Sequence, residues 1–245
     1  MGQANSARIP SMESGPDTVA GKLAEIRARI ERAAKRAGRR AEEITLVGIS
    51  KTFPAELIRE AFAAGVRDFG ENRVQEWEAK AEHVADLAAT WHLVGHLQRN
   101  KAARALTLFH RIDSLDSLPL AEKLDRAAGS ERRLPVLIEV RLDPTASKSG
   151  CDPLELPRLA EGVFLLPNLE LGGLMTVPPI AQNPEEVRPA FRRLRELRDG
   201  LSHRLDRPLP ELSMGMSHDF EVAIEEGATQ IRLGTALFGN RPHIR

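Results

Sequence analysis

The chain has 245 residues, 42% of them apolar, and it carries 35 basic and 35 acidic side chains. A formal charge of zero gives no electrostatic basis for binding nucleic acid or an anionic membrane surface. A single cysteine, Cys151, excludes an internal disulfide framework and is typical of a reducing compartment, so we expect a cytoplasmic protein.

The first 17 residues, "MGQANSARIPSMESGPD", lack the apolar segment of a signal peptide and are predicted to be a disordered leader. Residues 18–245 are expected to form one domain. Its first element is a helix over Thr18–Ala37, with Val19, Leu23, Ile26 and Ile30 on one face. No apolar run in the chain approaches the ~18 residues that a membrane span requires, so we expect no membrane contact.

Eight strand-like runs follow, separated by helical patterns such as Pro54–Ala64 and Asp116–Ala128. The runs are Ile44–Ser50, Val66–Gly70, Trp91–Leu97, Phe109–Asp113, Pro135–Leu142, Leu169–Val177, Glu211–Met214 and Gln230–Leu233. Regular alternation predicts right-handed βαβ units, and eight of them predict an α/β fold with a single (β/α)8 TIM barrel and an extra N-terminal helix. A doubly wound open sheet is the alternative, but no Gly-x-Gly-x-x-Gly pattern follows the first strand.

In such a barrel the functional groups lie at the C-terminal ends of the strands. The first strand, in "ITLVGISKTFP", ends at Lys51. This lysine could be structural, paired with Glu71 or Asp68 of the next strand, or it could be a nucleophile. A lysine amine becomes nucleophilic near neutral pH when desolvation or a nearby cation such as Arg232 lowers its pKa. Position alone leaves both interpretations open.

The loops after strands seven and eight, "SMGMSHD" and "RLGTALFG", predict a phosphate site, because barrels often bind phosphate there. Ser213 and Ser217 offer hydroxyl groups, and Ser217 is expected to be the N-cap of the next helix. Gly234 and Thr235 offer backbone N–H groups at the start of a short helical turn. A phosphorylated aldehyde could contact the phosphate site and Lys51 at the same time, and pyridoxal 5′-phosphate is the obvious candidate.

Several segments match, in order and spacing over about residues 18–239, a known family. They include "LVGISKTFP", "DFGENRVQE", "WHLVGHLQRNK", "ASKSG", "SMGMSHDFEVAIEEGAT" and "IRLGTALFG". The chain thus resembles the YggS/PROSC family of pyridoxal phosphate homeostasis proteins. The resemblance implies a (β/α)8 barrel similar to the N-terminal domain of alanine racemase. It also implies that the protein carries, buffers or delivers its cofactor inside the cell.

The resemblance also implies roles for eight residues. It makes Lys51 the residue that binds pyridoxal phosphate covalently as a Schiff base. It implies that Asn72 lines the cofactor pocket, that Met175 lies near the ring and that Arg232 lies near the pyridine nitrogen. The residues implied to hold the phosphate are Ser213, Ser217, Gly234 and Thr235. Two features depart from the family pattern. Arg73 replaces the usual tyrosine after "GEN", and the loop before Lys148 reads "RLDPTASKSG".

Three functions can be weighed against these residues. A cofactor-binding homeostasis protein is the favoured function. A true pyridoxal-phosphate enzyme, such as an amino-acid racemase, is the second hypothesis. A phosphate-binding enzyme that uses no cofactor is the least favoured. The alanine racemase mechanism uses a tyrosine base from a second domain. This chain has no tyrosine and no residues for that domain. We therefore expect a non-catalytic monomer that serves pyridoxal-phosphate-dependent apoenzymes.

Two further candidate sites, for zinc and for redox chemistry, are better explained without a function. His92 and His96 have no third ligand nearby in the sequence, so barrel filling or partial exposure is favoured over zinc and no metal site is expected. Cys151 lies beside Lys148 and could be redox-sensitive, although a lone cysteine is more often inert.

Overall fold

The computed structural model describes residues 15–129, 133–143, 149–179 and 181–240. Eight parallel strands close into a barrel in chain order, and β1 pairs with β8 to complete it. The predicted α/β barrel is therefore confirmed. The strands are β1 Thr45–Ile49, β2 Asp68–Glu71, β3 Thr90–Leu93, β4 Arg111–Leu115, β5 Leu134–Glu139, β6 Leu169–Met175, β7 Glu211–Ser213 and β8 Gln230–Leu233.

Helices surround the barrel, and one of them precedes the first strand, as the sequence predicted. Within the described residues they are α1 Val19–Arg36, α2 Ala55–Ala63, α3 Val74–Ala81, α4 Ala102–Leu108, α5 Leu118–Ala128, α6 Leu156–Phe164, α7 Arg188–Leu205, α8 Phe220–Glu225 and α9 Thr235–Phe238. Short 3-10 turns occupy Ala41–Glu43, Glu82–Val84, Arg99–Lys101 and Pro184–Val187. Among these described segments, no helix is both long enough and apolar enough to cross a membrane.

Helix α1 begins where the sequence predicted. Thr18 is its N-cap, and the Thr18 hydroxyl accepts a hydrogen bond from the Gly21 backbone N–H at 3.1 Å. This bond satisfies one of the N–H groups that a helix start leaves unpaired. Residues 1–14 of the expected leader lie outside the described residues, so the division of the chain at residue 18 stays a prediction.

The barrel interior is polar near the N-terminal ends of its strands. Arg111 of β4 donates to Glu211 of β7 at 2.6 Å, and since these strands are not neighbours, the pair crosses the interior. His92 of β3 lies 2.8 Å from Asp113 and 3.1 Å from Asp68 and is almost fully buried. Burial by itself would lower the pKa of His92, but the Asp113 charge and the hydrogen bonds to both carboxylates raise it above its ordinary value.

Several strands end earlier than the apolar runs that predicted them. The third strand ends at Leu93 rather than Leu97, and the sixth at Met175 rather than Val177. The third run continues because residues beyond its strand end are still shielded from solvent: Leu97 packs in the core and Val94 lines a cavity at the barrel mouth. Val177, beyond the sixth strand, also lines that cavity but is 42% exposed. The fourth strand is displaced from the predicted Phe109–Asp113 to Arg111–Leu115. The fifth ends at Glu139 instead of Leu142.

Candidate functional site

A cavity of about 370 Å³ lies at the C-terminal ends of β1 and β8. This volume falls within the range of small-molecule sites, and its apolar walls with a few polar groups are typical of them. Apolar side chains that form part of the wall are Ile49, Phe53, Val94, Val177 and Val187. The polar groups come from Lys51, Asn72, Ser217, His218, Asp219, Arg232 and Thr235, together with the backbone of Gly234.

Six of the eight sequence-predicted residues therefore meet at one cavity. They are Lys51, Asn72, Ser217, Arg232, Gly234 and Thr235. Met175 and Ser213 are fully buried and do not form part of its wall. Met175 pairs with Ser213 at the C-terminal ends of β6 and β7, and both side chains are covered by other residues.

Lys51 follows β1 directly and is half-buried at the cavity wall. The two carboxylates that the sequence offered as structural partners have bonds of their own. Glu71 accepts hydrogen bonds from the Ser50 hydroxyl at 2.7 Å and from the Lys80 amine at 2.6 Å. Asp68 lies against His92 at the N-terminal end of β2. Lys51 itself forms part of the cavity wall, a position that is compatible with the nucleophile interpretation.

The sequence predicted Ser217 as the N-cap of the next helix, and this prediction is wrong. Helix α8 begins at Phe220 with Asp219 as its cap residue. The Ser217 hydroxyl instead accepts hydrogen bonds from the Ala236 backbone N–H at 3.2 Å and from the Thr235 hydroxyl at 3.3 Å. These bonds join the loop after β7 to the start of α9. The structure therefore brings together the two loops in which the sequence predicted a phosphate site.

Gly215 gives the loop after β7 its course. Its φ of +96° lies in a region that side chains with a Cβ rarely adopt. A Cβ at this position would lie 2.6 Å from Ala223 Cβ and 3.0 Å from Phe220 Cα, both on α8. A glycine is thus needed for this loop to turn towards the cavity while α8 packs behind it.

Arg232 is the buried cation at the base of the cavity, with 4% of its surface exposed. Its guanidinium donates to the Ser213 hydroxyl at 2.8 Å and to the Thr176 carbonyl at 2.7 Å. Burial lowers the pKa of Arg232, whereas the charges of Asp113, Glu139 and Asp219 act in the opposite direction. Ser213 therefore influences the cavity through Arg232, whose orientation it helps to fix.

Two carboxylates near Arg232 were not among the sequence-predicted site residues. Asp219 lines the cavity and accepts a hydrogen bond from the Met216 backbone N–H at 2.6 Å, and burial raises its pKa. Glu139, buried at the end of β5, has its pKa raised by burial to about 7, although the charge of Arg232 opposes this shift. The sequence does contain a signal for Glu139, because it is the only charged residue in the apolar run "LPVLIEV". Asp219 is the last residue of the segment "SMGMSHD", in which only Ser213 and Ser217 were predicted as site residues.

Asn72 reaches the cavity because the chain passes very close to it at Gly95. A Cβ on Gly95 would collide with the Asn72 backbone, approaching its Cα to 2.8 Å. Arg73, which stands where the family usually has a tyrosine, turns away from the cavity. It is exposed at the N-cap position of α3 and pairs with Glu76 at 3.1 Å. The departure from the family pattern therefore leaves the cavity wall without a side chain from position 73.

The remaining candidates have simple explanations. His92 fills the barrel interior, and His96 is exposed and pairs with Asp116 at 3.0 Å, as the sequence interpretation favoured. Among the described residues no group of three potential ligands could hold a metal ion. Cys151 is buried, and burial raises the pKa of its thiol to about 12, which is typical of an inert cysteine. Lys148 lies outside the described residues.

Comparison with known proteins points in the same direction. Residues 22–242 match the family described as "Alanine racemase, N-terminal domain". The pyridoxal phosphate homeostasis protein of Aquifex aeolicus is 48% identical over 223 residues, covering 91% of this chain and 98% of that protein. PipY of Synechococcus elongatus PCC7942, solved with PLP bound, is 41% identical with a TM-score of 0.78, covering 91% of this chain and 100% of that one.

A more distant similarity concerns the fold alone. Alanine racemase from Clostridium difficile 630 has a TM-score of 0.73 at 15% identity. The match covers 93% of this chain but only 58% of the racemase chain. The racemase therefore has a large part that the barrel described above does not match.

Proposed function

This chain belongs to the family of pyridoxal phosphate homeostasis proteins, and from this membership we propose that it binds pyridoxal 5′-phosphate at the barrel mouth. The single observation that supports this assignment is the meeting of Lys51 with Ser217, Gly234 and Thr235 at one cavity. Family membership agrees with the resemblance drawn from the sequence motifs. The relative that was solved with PLP bound supports the ligand class.

The residues present fit this cofactor. Pyridoxal phosphate has a flat aromatic ring, an aldehyde and a phosphate, and it needs apolar surface, an amine and anion donors. Ile49 and Val94 supply apolar surface, Lys51 supplies the amine, and the hydroxyls of Ser217 and Thr235 supply donors. Arg232 adds a buried positive charge. When bound, the cofactor would supply its aldehyde to amines, and a protein that stores it needs a reversible attachment.

We assign that attachment to Lys51. When the cofactor is bound, Lys51 would hold it as a Schiff base, because its amine would condense with the aldehyde with loss of water. Ser217, Gly234 and Thr235 would hold the phosphate, with Ser213 acting through Arg232. Asn72 would line the pocket, Arg232 would face the pyridine nitrogen, and Met175 would support the ring from below.

The test is the visible absorbance of the purified protein, followed by borohydride reduction and peptide mapping. Reduction makes the attachment permanent, so the peptide containing Lys51 should carry the added pyridoxyl mass. The matched control is Lys51→Ala, whose peptide can carry no label at position 51. Label confined to another lysine in the unsubstituted protein would overturn the assignment.

We further propose that the bound cofactor is catalytically quiet. The chain has no tyrosine to act as a racemase base. Arg232 is the charged group proposed for the ring nitrogen, and an arginine there does not hold the ring in its protonated, strongly electron-withdrawing form as a carboxylate would. The protein would then act as a cytoplasmic monomer that delivers cofactor to apoenzymes.

Catalytic quietness can be measured by NMR in heavy water. Alanine or serine incubated with the loaded protein should lose its α-proton far more slowly than the ~10 s⁻¹ turnover of a typical enzyme. A known amino-acid racemase under the same conditions provides the positive control. Exchange near the enzymatic rate would replace the homeostasis function with a racemase or related activity.

A further inference from the structure

The turn that presents Lys51 is strained. Thr52, the next residue, has a φ of +67°. This left-handed conformation is uncommon for residues with a Cβ and is an outlier for a β-branched one. Such conformations persist only where the surrounding structure enforces them. The surroundings of this turn should therefore contain the groups that hold it.

Lys80 of α3 bonds to both sides of this turn. Its amine donates to the Ser50 carbonyl at 2.9 Å, before Lys51, and lies 3.3 Å from the Phe53 carbonyl, after Thr52. It also donates to Glu71 at 2.6 Å. A lysine ammonium has three hydrogens, and these three acceptors account for all of them. The two backbone carbonyls that flank the Lys51–Thr52 pair are thus tied to a single atom.

Glu71 in turn fixes Lys80. The Glu71 side chain has no exposed surface, and its Oε1 accepts from both Lys80 and the Ser50 hydroxyl. Its Oε2 has no hydrogen-bond partner within the described part of the chain. Burial raises the pKa of Glu71, and the charge and hydrogen bond of Lys80 oppose that effect. The carboxylate therefore depends on Lys80 for its charge compensation, and Lys80 depends on it for its position.

We propose that Lys80 and Glu71 are positioning residues for Lys51. Together with Ser50 they form a clamp that holds the left-handed turn at Thr52 and so keeps the Lys51 amine at the cavity wall. Neither Lys80 nor Glu71 forms part of that wall. This inference rests on the proposed attachment of pyridoxal phosphate at Lys51 and adds the groups that make the attachment fast.

The test measures how fast pyridoxal phosphate attaches to Lys51, by rapid mixing, borohydride quenching and peptide mapping. Lys80→Met keeps the apolar stem and removes the donors, and it should slow labelling by roughly tenfold to a hundredfold, as expected for a misplaced reacting group. Lys123→Met, on the exposed face of α5, is the matched control and should label at the unsubstituted rate.

Thr52→Gly separates positioning from simple stabilisation. Glycine adopts the left-handed region without steric cost, so the turn no longer needs the clamp. The double variant K80M/T52G should therefore regain most of the lost labelling rate. Its free energy of unfolding should stay as low as that of K80M, because Glu71 is still buried without its partner. A purely structural role predicts no recovery of the rate.

Three results overturn the inference. They are K80M labelling Lys51 at the unsubstituted rate, K80M/T52G labelling as slowly as K80M, and the control K123M slowing as much as K80M. If K80M does not fold, E71Q/K80M removes both charges together and is compared with E71Q/K80M/T52G in the same way. Label on a lysine other than Lys51 in the unsubstituted protein overturns the proposed function, whereas unchanged labelling in K80M overturns the clamp alone.

Discussion

At the scale of single residues, the side of the cavity that we propose for the phosphate offers hydroxyl groups rather than lysines or arginines at its rim. Thr235 and Ser217 bond to each other across two loops. The only buried cation on the described cavity wall is Arg232, which is already bonded to Ser213 and Thr176. Such a site recognises an anion by hydrogen-bond geometry, and its affinity should depend on individual hydroxyls.

Thr235→Val removes one hydroxyl while keeping the shape of the side chain. A hydrogen bond to a charged group contributes about 1.5–3 kcal/mol, so affinity for pyridoxal phosphate should fall roughly ten- to a hundredfold. Affinity for pyridoxal, which has no phosphate, should hardly change. Equilibrium binding of both compounds checks this, with Thr107→Val on the exposed surface of α4 as the control. An equal loss for both compounds would place the phosphate elsewhere.

At the scale of elements, the site depends on how closely the segment after β3 approaches the segment after β2. Gly95 permits that approach, since the Asn72 backbone occupies the space that a Cβ would need. Both segments lie at the mouth of the barrel, and the sequence predicted that the third strand would continue there to Leu97. Beyond the early end of β3, Val94 lies in the cavity wall.

Gly95→Ala should therefore displace Asn72 and weaken cofactor binding. Overpacking of this kind costs about 1–3 kcal/mol in the free energy of unfolding. Gly200 in the middle of α7 is the matched control, since nothing lies within 4 Å of a Cβ placed there. Gly200→Ala should instead stabilise the protein by about 0.5–1 kcal/mol. Denaturant unfolding and cofactor titration check both variants, and normal binding by Gly95→Ala would show that Asn72 is dispensable.

The elements that the sequence predicted well are those with a local signal. The apolar face of α1, the strand–helix alternation and the loops that bring Ser217 and Thr235 to the mouth are all encoded in short segments. The start of α8 was misplaced because Ser217 and Asp219 are both good cap residues, and only tertiary contacts with α9 decide between them. The contacts of Lys80 join α3 to the turn after β1, so no local pattern could reveal them.

At the scale of the whole molecule, charged side chains occupy interior positions that branched apolar side chains fill in most barrels. Hydrogen bonds join Arg111, Glu211, His92 and Asp113 to one another inside the barrel, near the N-terminal ends of the strands. Glu139 is the buried carboxyl whose pKa rises to about 7. The stability of the fold should consequently depend on pH in a range where exposed carboxylates no longer titrate.

Glu139 has its pKa raised in the folded state from an ordinary value of 4.5 to about 7. Its contribution to stability is therefore complete below pH 4.5 and is lost as pH rises through 7. The difference corresponds to about 3 kcal/mol in the free energy of unfolding. Glu139→Gln, which cannot ionise, should remove this dependence. Urea unfolding of both proteins between pH 4.5 and 8 measures the difference, and parallel pH profiles would contradict the assignment.

The two sides of the cavity come from opposite ends of the barrel sequence. Lys51 follows β1, Thr235 follows β8, and these two strands pair only when the barrel closes. During synthesis on the ribosome, Lys51 therefore emerges long before the residues proposed to hold the phosphate. A nascent chain presents an amine without a complete site, so loading with cofactor should await the last strand. Cofactor bound to the finished protein then links its first strand to its last and favours the closed barrel by mass action.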